Sequence, residues 1–93
     1  MALAKDVTLI SAQNVQRMDA HGGYKTLFEV SLRTDDKKKV SAVVFYPVAR
    51  GMRYLKPGDR LEVWLETMTA KWVNSLGDVD LITENNVLYM ERK

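Results

Sequence analysis

The sequence predicts an all-β domain: five strands curled into one small barrel, with a short helix between the third and fourth strands. Three observations predict it. Apolar runs rich in β-branched residues recur along the chain, and each is bounded by a turn signal. The clearest run, Tyr24 to Arg33, alternates sides with a period of two, as a half-buried strand must. A chain of 93 residues has enough apolar material for one core, so a single domain over residues 1–93 is expected.

The first strand is read over Val7 to Val15, with Val7, Leu9 and Ile10 as its apolar start. His21-Gly22-Gly23 follows as a turn, because glycine tolerates positive φ. In the second strand, Thr26, Phe28, Val30 and Leu32 share one side; Lys25, Leu27, Glu29, Ser31 and Arg33 share the other. Thr34-Asp35-Asp36 turns the chain into a third strand, Lys37 to Tyr46, which Pro47 ends. Val48, Met52 and Leu55 recur at helical spacing and predict a short helix over residues 48–55. Lys56-Pro57-Gly58-Asp59 has proline then glycine at its centre, as a type II turn prefers. The fourth strand is Arg60 to Thr67, with Leu61, Val63 and Leu65 on its apolar face. Asn74 to Asp78 marks a hairpin tip; the fifth strand starts at Val79, breaks near Asn85-Asn86 and resumes over Val87 to Met90.

Three strands, a short helix and two strands is the element order of an OB-fold. A flat five-stranded sheet would expose two edges, and curling into a barrel pairs them. An SH3-like barrel is the alternative with a similar strand count.

Composition excludes several function classes. There is no cysteine, which removes disulfides, thiolate catalysis and cysteine-ligated metals together and suits a reducing cytoplasm. The N-terminus shows no signal-peptide pattern, and no apolar stretch reaches the roughly 20 residues of a membrane helix. Net charge is +2, unevenly placed: residues 1–60 hold 11 Lys/Arg against 6 Asp/Glu, and residues 61–93 hold 3 against 6. A basic bias in the early strands can attract phosphate, but charge alone favours an ordinary solvated surface. His21 is the only histidine and sits in a glycine turn. The pairs Asp35-Asp36 and Asp78/Asp80 lie at turns, where carboxylates are usually structural. No motif for a zinc protease, a hydrolase nucleophile or a phosphate loop is present, so neither enzyme activity, nor a cofactor, nor a metal site is expected.

Four segments resemble one family, the bacterial single-stranded DNA-binding proteins with their small relative primosomal replication protein B. His21-Gly22-Gly23 with Phe28-Glu29-Val30-Ser31-Leu32 resembles the family's glycine turn and second strand. Val43-Val44-Phe45 resembles its third strand, which ends in an aromatic. Tyr54-Leu55 through Gly58 to Val63 resembles its fourth-strand entry, and Lys71-Trp72 with Gly77 its long last hairpin. The likeness spans nearly the whole chain. It departs in the shorter loop after strand two, in the absence of the tryptophans the family often has there, and in Gln13-Asn14-Val15 where the family has glycines. Lys39 stands about where one of those tryptophans would. No acidic recruiting tail follows Glu91-Arg92-Lys93, so a primosomal-type, phage or plasmid strand binder is the nearer match, and recruitment through such a tail is not expected.

The resemblance implies single-stranded DNA binding in replication or recombination, by a homo-oligomer (dimer or tetramer). Such binding needs aromatic faces for bases and cations for phosphates. Trp72, beside Lys71 in the last hairpin, is the first candidate, since a large ring there has little core to fill; the competing placement folds it back onto the barrel. Phe45 and Tyr46 are adjacent, so one should face the core and one the ligand. A one-residue slip reverses the assignment, and the resemblance makes Phe45 the stacker. Lys39 shares the side of Phe45, and Lys25 and Arg33 lie on the outward side of strand two. Lys37 and Lys38 at a loop tip, and Arg50 and Arg53 on the helix, read as solvated charges. Trp64, between Glu62 and Glu66, suits a self-association surface better than a DNA contact. Two other readings stay open: an RNA-binding OB module, and a protein-interaction or assembly barrel that binds no nucleic acid.

Overall fold

A computed structural model describes residues 3–93. It contains five strands: β1 (Leu3–Asp19), β2 (Tyr24–Thr34), β3 (Lys39–Val44), β4 (Arg60–Val73) and β5 (Val79–Arg92). A 3₁₀ helix, Val48–Tyr54, lies between β3 and β4. The strands close in the order β1-β2-β3-β5-β4, an OB-like barrel. β1 with β2, β2 with β3, and β4 with β5 are antiparallel. β3 meets β5 in parallel through Ala42 opposite Asn85 and Val43 opposite Asn86. Leu3 to Thr8 lies against Leu65 to Arg60, which joins β1 to β4.

The turn chemistry follows the sequence closely. Gly58 has φ +96° and Asp59 N–H donates to the Lys56 carbonyl, as the type II reading requires. At the first turn the Asp19 carboxylate accepts from the backbone N–H of His21 and Gly23. Those two donors hold its pKa below the ordinary aspartate value. Asn74 does the same at the last hairpin, accepting from Leu76 and Asp78 N–H.

The main core gathers one face of every strand. Val7 and Leu9 of β1, Val30 and Leu32 of β2, Ala42 and Val44 of β3, Leu61, Val63 and Leu65 of β4, and Val87 of β5 are buried together with Met52 of the helix. No polar or charged residue is buried among the described residues. Truncating a fully buried leucine such as Leu32 costs about 2–5 kcal/mol.

Four strands differ from expectation. β3, read over Lys37 to Tyr46, spans Lys39–Val44: Lys37, at φ +67°, and Lys38 still belong to the turn closed on Thr34, and the strand ends before Phe45 and Tyr46. The other three each have a physical reason. β1 runs to Asp19 rather than stopping near Val15. Its register shifts between Leu9 and Ser11, so Ile10 is a bulge that exchanges the inward and outward sets, and the simple alternation count fails beyond it. β5 is continuous through Asn85-Asn86: this dipeptide is where β5 bridges β3, and Asn85 Nδ2 donates to the Ser41 carbonyl. β4 continues to Val73, because the β4–β5 hairpin extends well beyond the barrel wall.

That extension shapes the functional end. The tip of the β1–β2 hairpin reaches the tip of the β4–β5 hairpin, with Met18 opposite Val73 and Asp19 opposite Trp72. Leu27 and Val43 point outward by alternation, yet they are 0% and 2% exposed and lie outside the main core. Trp72, likewise outside it, is 5% exposed. Three apolar side chains are thus buried apart from the main core: Leu27 on β2, Val43 on β3 and Trp72 on β4.

Candidate functional site

Two clefts lie on this outer face. The larger, about 470 Å³, is lined by Phe45, Tyr46, Trp72, Met68, Lys25 and Lys71 among others. It brings together five of the candidates named from sequence. Lys25 comes from the start of β2 and Lys71 from the end of β4, two strands far apart in sequence. The hairpin-tip contact through Asp19 and Trp72 is what makes them neighbours across one opening.

The aromatic residues take different places from those expected. β3 ends at Val44, so Phe45 and Tyr46 follow the strand and no longer alternate. Neither enters the core, and both line the cleft. Tyr46 is 73% exposed and offers a free ring. Phe45 is half-buried against Trp72, their rings within 4° of parallel and 6.2 Å between centroids.

Trp72 is not the exposed platform anticipated from its hairpin position. The extended β4 carries it back under the neighbouring hairpin. Arg17 lies over its ring at 5.2 Å from the centroid, an arrangement that adds cation–π attraction to the burial. Its indole N–H is buried without a hydrogen-bond partner among the described residues. A buried donor left unpaired is costly and uncommon, and marks a place where a partner would be gained.

The smaller cleft, about 300 Å³, lies along β1, β2 and β3 and is lined by Ser11, Gln13, Ser31, Ser41, Glu29 and Glu84 around Arg17. Arg17 donates to Glu84 through Nη1 and Nη2, at 2.6 and 3.2 Å, and through Nη2 to Glu29 at 2.8 Å. These carboxylates, Glu84 foremost, hold its guanidinium above the ordinary arginine pKa. Two carboxylates against one guanidinium leave this cleft net acidic. Arg17 escaped the sequence reading because it is placed by a strand extension past Val15 and partnered by a residue 67 positions away.

Arg33 and Lys39 stand opposite each other at the far end of the β2–β3 ladder. They lie five residues along from the Phe28–Val44 pair, roughly 17 Å. They are exposed and belong to neither cleft. Lys37 and Lys38 are exposed at their loop, as expected of solvated charges. Arg53 of the helix packs its guanidinium 5.7 Å from the centroid of the Tyr54 ring. Trp64 sits on the outer face of β4 and packs edge-to-face on Tyr89, its partner across the ladder, with centroids 5.1 Å apart. Tyr89 covers part of the ring that the sequence left open for self-association.

The turn carboxylates have local partners. Asp35 pairs with Arg60 at 2.8 Å, Asp36 accepts from the Thr34 hydroxyl, and Asp80 accepts from Asn74 Nδ2. The Arg60 hydrogen bond lowers the Asp35 pKa, and the Thr34 hydroxyl lowers that of Asp36. No group of three or more His, Cys, Asp or Glu suited to a metal occurs among the described residues. No helix among them is long and apolar enough to cross a membrane. No protein-family model matches the chain, and no curated protein matches it.

Proposed function

We propose that this barrel binds single-stranded nucleic acid, single-stranded DNA in the first instance, as a non-catalytic replication or recombination accessory protein. The observation that carries the reading is the larger cleft, where an exposed Tyr46 stands beside Phe45 and Trp72 with Lys25 and Lys71 at the same opening. A base stacks on the tyrosine ring while its flanking phosphates meet the lysines. Arg33 and Lys39 extend the cationic track along the outer face of β2 and β3. The resemblance to single-stranded DNA-binding proteins points the same way.

The test is anisotropy of a labelled oligo-dT at low and high salt. The expected result is binding at low salt that weakens as salt rises, through counterion release. No binding at low salt overturns the proposal. Competition by a matched RNA oligomer decides between DNA and RNA.

A protein-interaction role is favoured by a separate observation. Leu76, Val79 and Leu81 at the β4–β5 tip are 84%, 54% and 68% exposed. On that reading the purified chain shows no salt-sensitive affinity for either nucleic acid, and substituting these three residues abolishes partner binding.

A further inference from the structure

The cations on the outer face form an interrupted row. Lys25 and Arg17 are directly opposite each other in the β1–β2 ladder, and Arg33 lies further along the same side of β2. Lys25 and Arg33 are exposed and free of ion pairs among the described residues, whereas Arg17 is claimed by two carboxylates. The Arg17–Glu84 pair is well shielded, with both side chains 17% exposed. The same guanidinium covers Trp72, whose buried N–H has no partner among the described residues. One side chain therefore connects the acidic cleft to the aromatic one.

We propose that Arg17 is a phosphate-binding residue held in reserve, latched over Trp72 by Glu84 and Glu29 until a backbone phosphate displaces the carboxylates. The inference rests on the nucleic-acid reading above and adds a residue and a switch to it. The exchange is chemically balanced, because a phosphate offers the guanidinium the same two-point acceptor geometry that Glu84 now supplies. Moving Arg17 toward the strand uncovers the face of Trp72, which becomes a second stacking surface beside Tyr46. It also opens the indole N–H to an acceptor on a base. The two glutamates give the latch its selectivity: a stacked aromatic compound without phosphate cannot take Arg17 from them.

The test uses the Trp64→Phe background, in which Trp72 is the only tryptophan, and compares Glu84→Gln with the charge-matched Glu66→Gln. Glu66 is exposed on β4 and makes no ion pair among the described residues. Acrylamide quenching without nucleic acid reads the cover over Trp72, and oligo-dT titration reads affinity. Glu84→Gln should raise the acrylamide quenching constant about twofold or more and tighten oligo-dT binding roughly three- to tenfold, while Glu66→Gln moves both far less. Arg17→Gln should raise quenching yet weaken binding. Unchanged quenching in Glu84→Gln, or equal tightening by Glu66→Gln, overturns the latch. If no variant binds oligo-dT, the phosphate role falls together with the nucleic-acid proposal. If all bind and Glu84→Gln matches the parent, the latch alone falls.

Discussion

β4 carries two tryptophans eight positions apart, and they meet opposite fates. Trp64 lies where the strand is part of the barrel wall; it is half-buried, with Tyr89 packed edge-to-face on its ring. Trp72 lies where the strand has left the wall; its ring is covered by Arg17 and flanked by Phe45, and it is nearly inaccessible. Both stand at even positions of β4, on the side opposite Leu61, Val63 and Leu65, and local alternation treats them alike. The difference comes from what the outward face meets. Near the barrel it meets Tyr89 and water, and at the far end it meets a second hairpin. A side chain's parity along a strand fixes its face, while the length and twist of the strand decide whether that face is covered.

The largest expected effect separates the two rings by stability. Trp72→Ala should lower the unfolding free energy by about 3–5 kcal/mol in urea denaturation, as removal of a large buried aromatic does. Trp64→Ala should cost about 1–2 kcal/mol, chiefly the cross-strand aromatic pair. Equal losses would break the comparison. For this reason Trp72→Ala is a poor probe of binding, since it removes fold and ligand contact together.

Next in size is Tyr46→Ala. The ring is exposed, so stability should stay within about 0.5 kcal/mol. Oligo-dT affinity should fall by about 1–3 kcal/mol, the worth of one base stack. A stability loss without an affinity loss would move Tyr46 from the binding surface to the fold.

Lys25→Ala with Lys71→Ala should flatten the dependence of affinity on salt by about 0.7 per lost phosphate contact in a log–log plot. Lys37→Ala with Lys38→Ala should leave that slope unchanged. Equal effects from the two pairs would mean that charge attracts nucleic acid without the cleft.

The smallest effect is at the first turn. Asp19 has a folded pKa below its unfolded value because two backbone donors favour its ionised form. Its contribution is therefore full above the unfolded pKa and fades as pH falls through the lowered folded value. Amide exchange at His21 and Gly23, corrected for the intrinsic pH dependence, should lose protection over that acid window. Asp19→Ala should abolish the pH-dependent change.

Much of the barrel was legible because its signals are local. Tyr24 to Thr34 alternates cleanly, Pro57-Gly58 sets a turn whose glycine takes positive φ, and the apolar faces of β2 and β4 enter the core as their spacing requires. The bulge at Ile10 was not legible, because an extra residue in a ladder leaves no compositional mark and resets every later assignment in β1. The candidate site was half legible. Lys25, Phe45, Tyr46, Lys71 and Trp72 converge on one cleft as residue types suited to one task. The burial of Trp72 and the role of Arg17 depend on two hairpin tips meeting, and on an ion pair that spans most of the chain.

The most direct test of the central claim is a ¹⁵N–¹H correlation spectrum during titration with oligo-dT, because the indole N–H of Trp72 gives its own resonance. Saturable shifts are expected at that indole and at the amides of Lys25, Tyr46 and Lys71, with the Trp64 indole largely unmoved. Shifts confined to the Leu76–Leu81 tip, or a Trp72 indole that stays in place while the oligonucleotide binds, would contradict it.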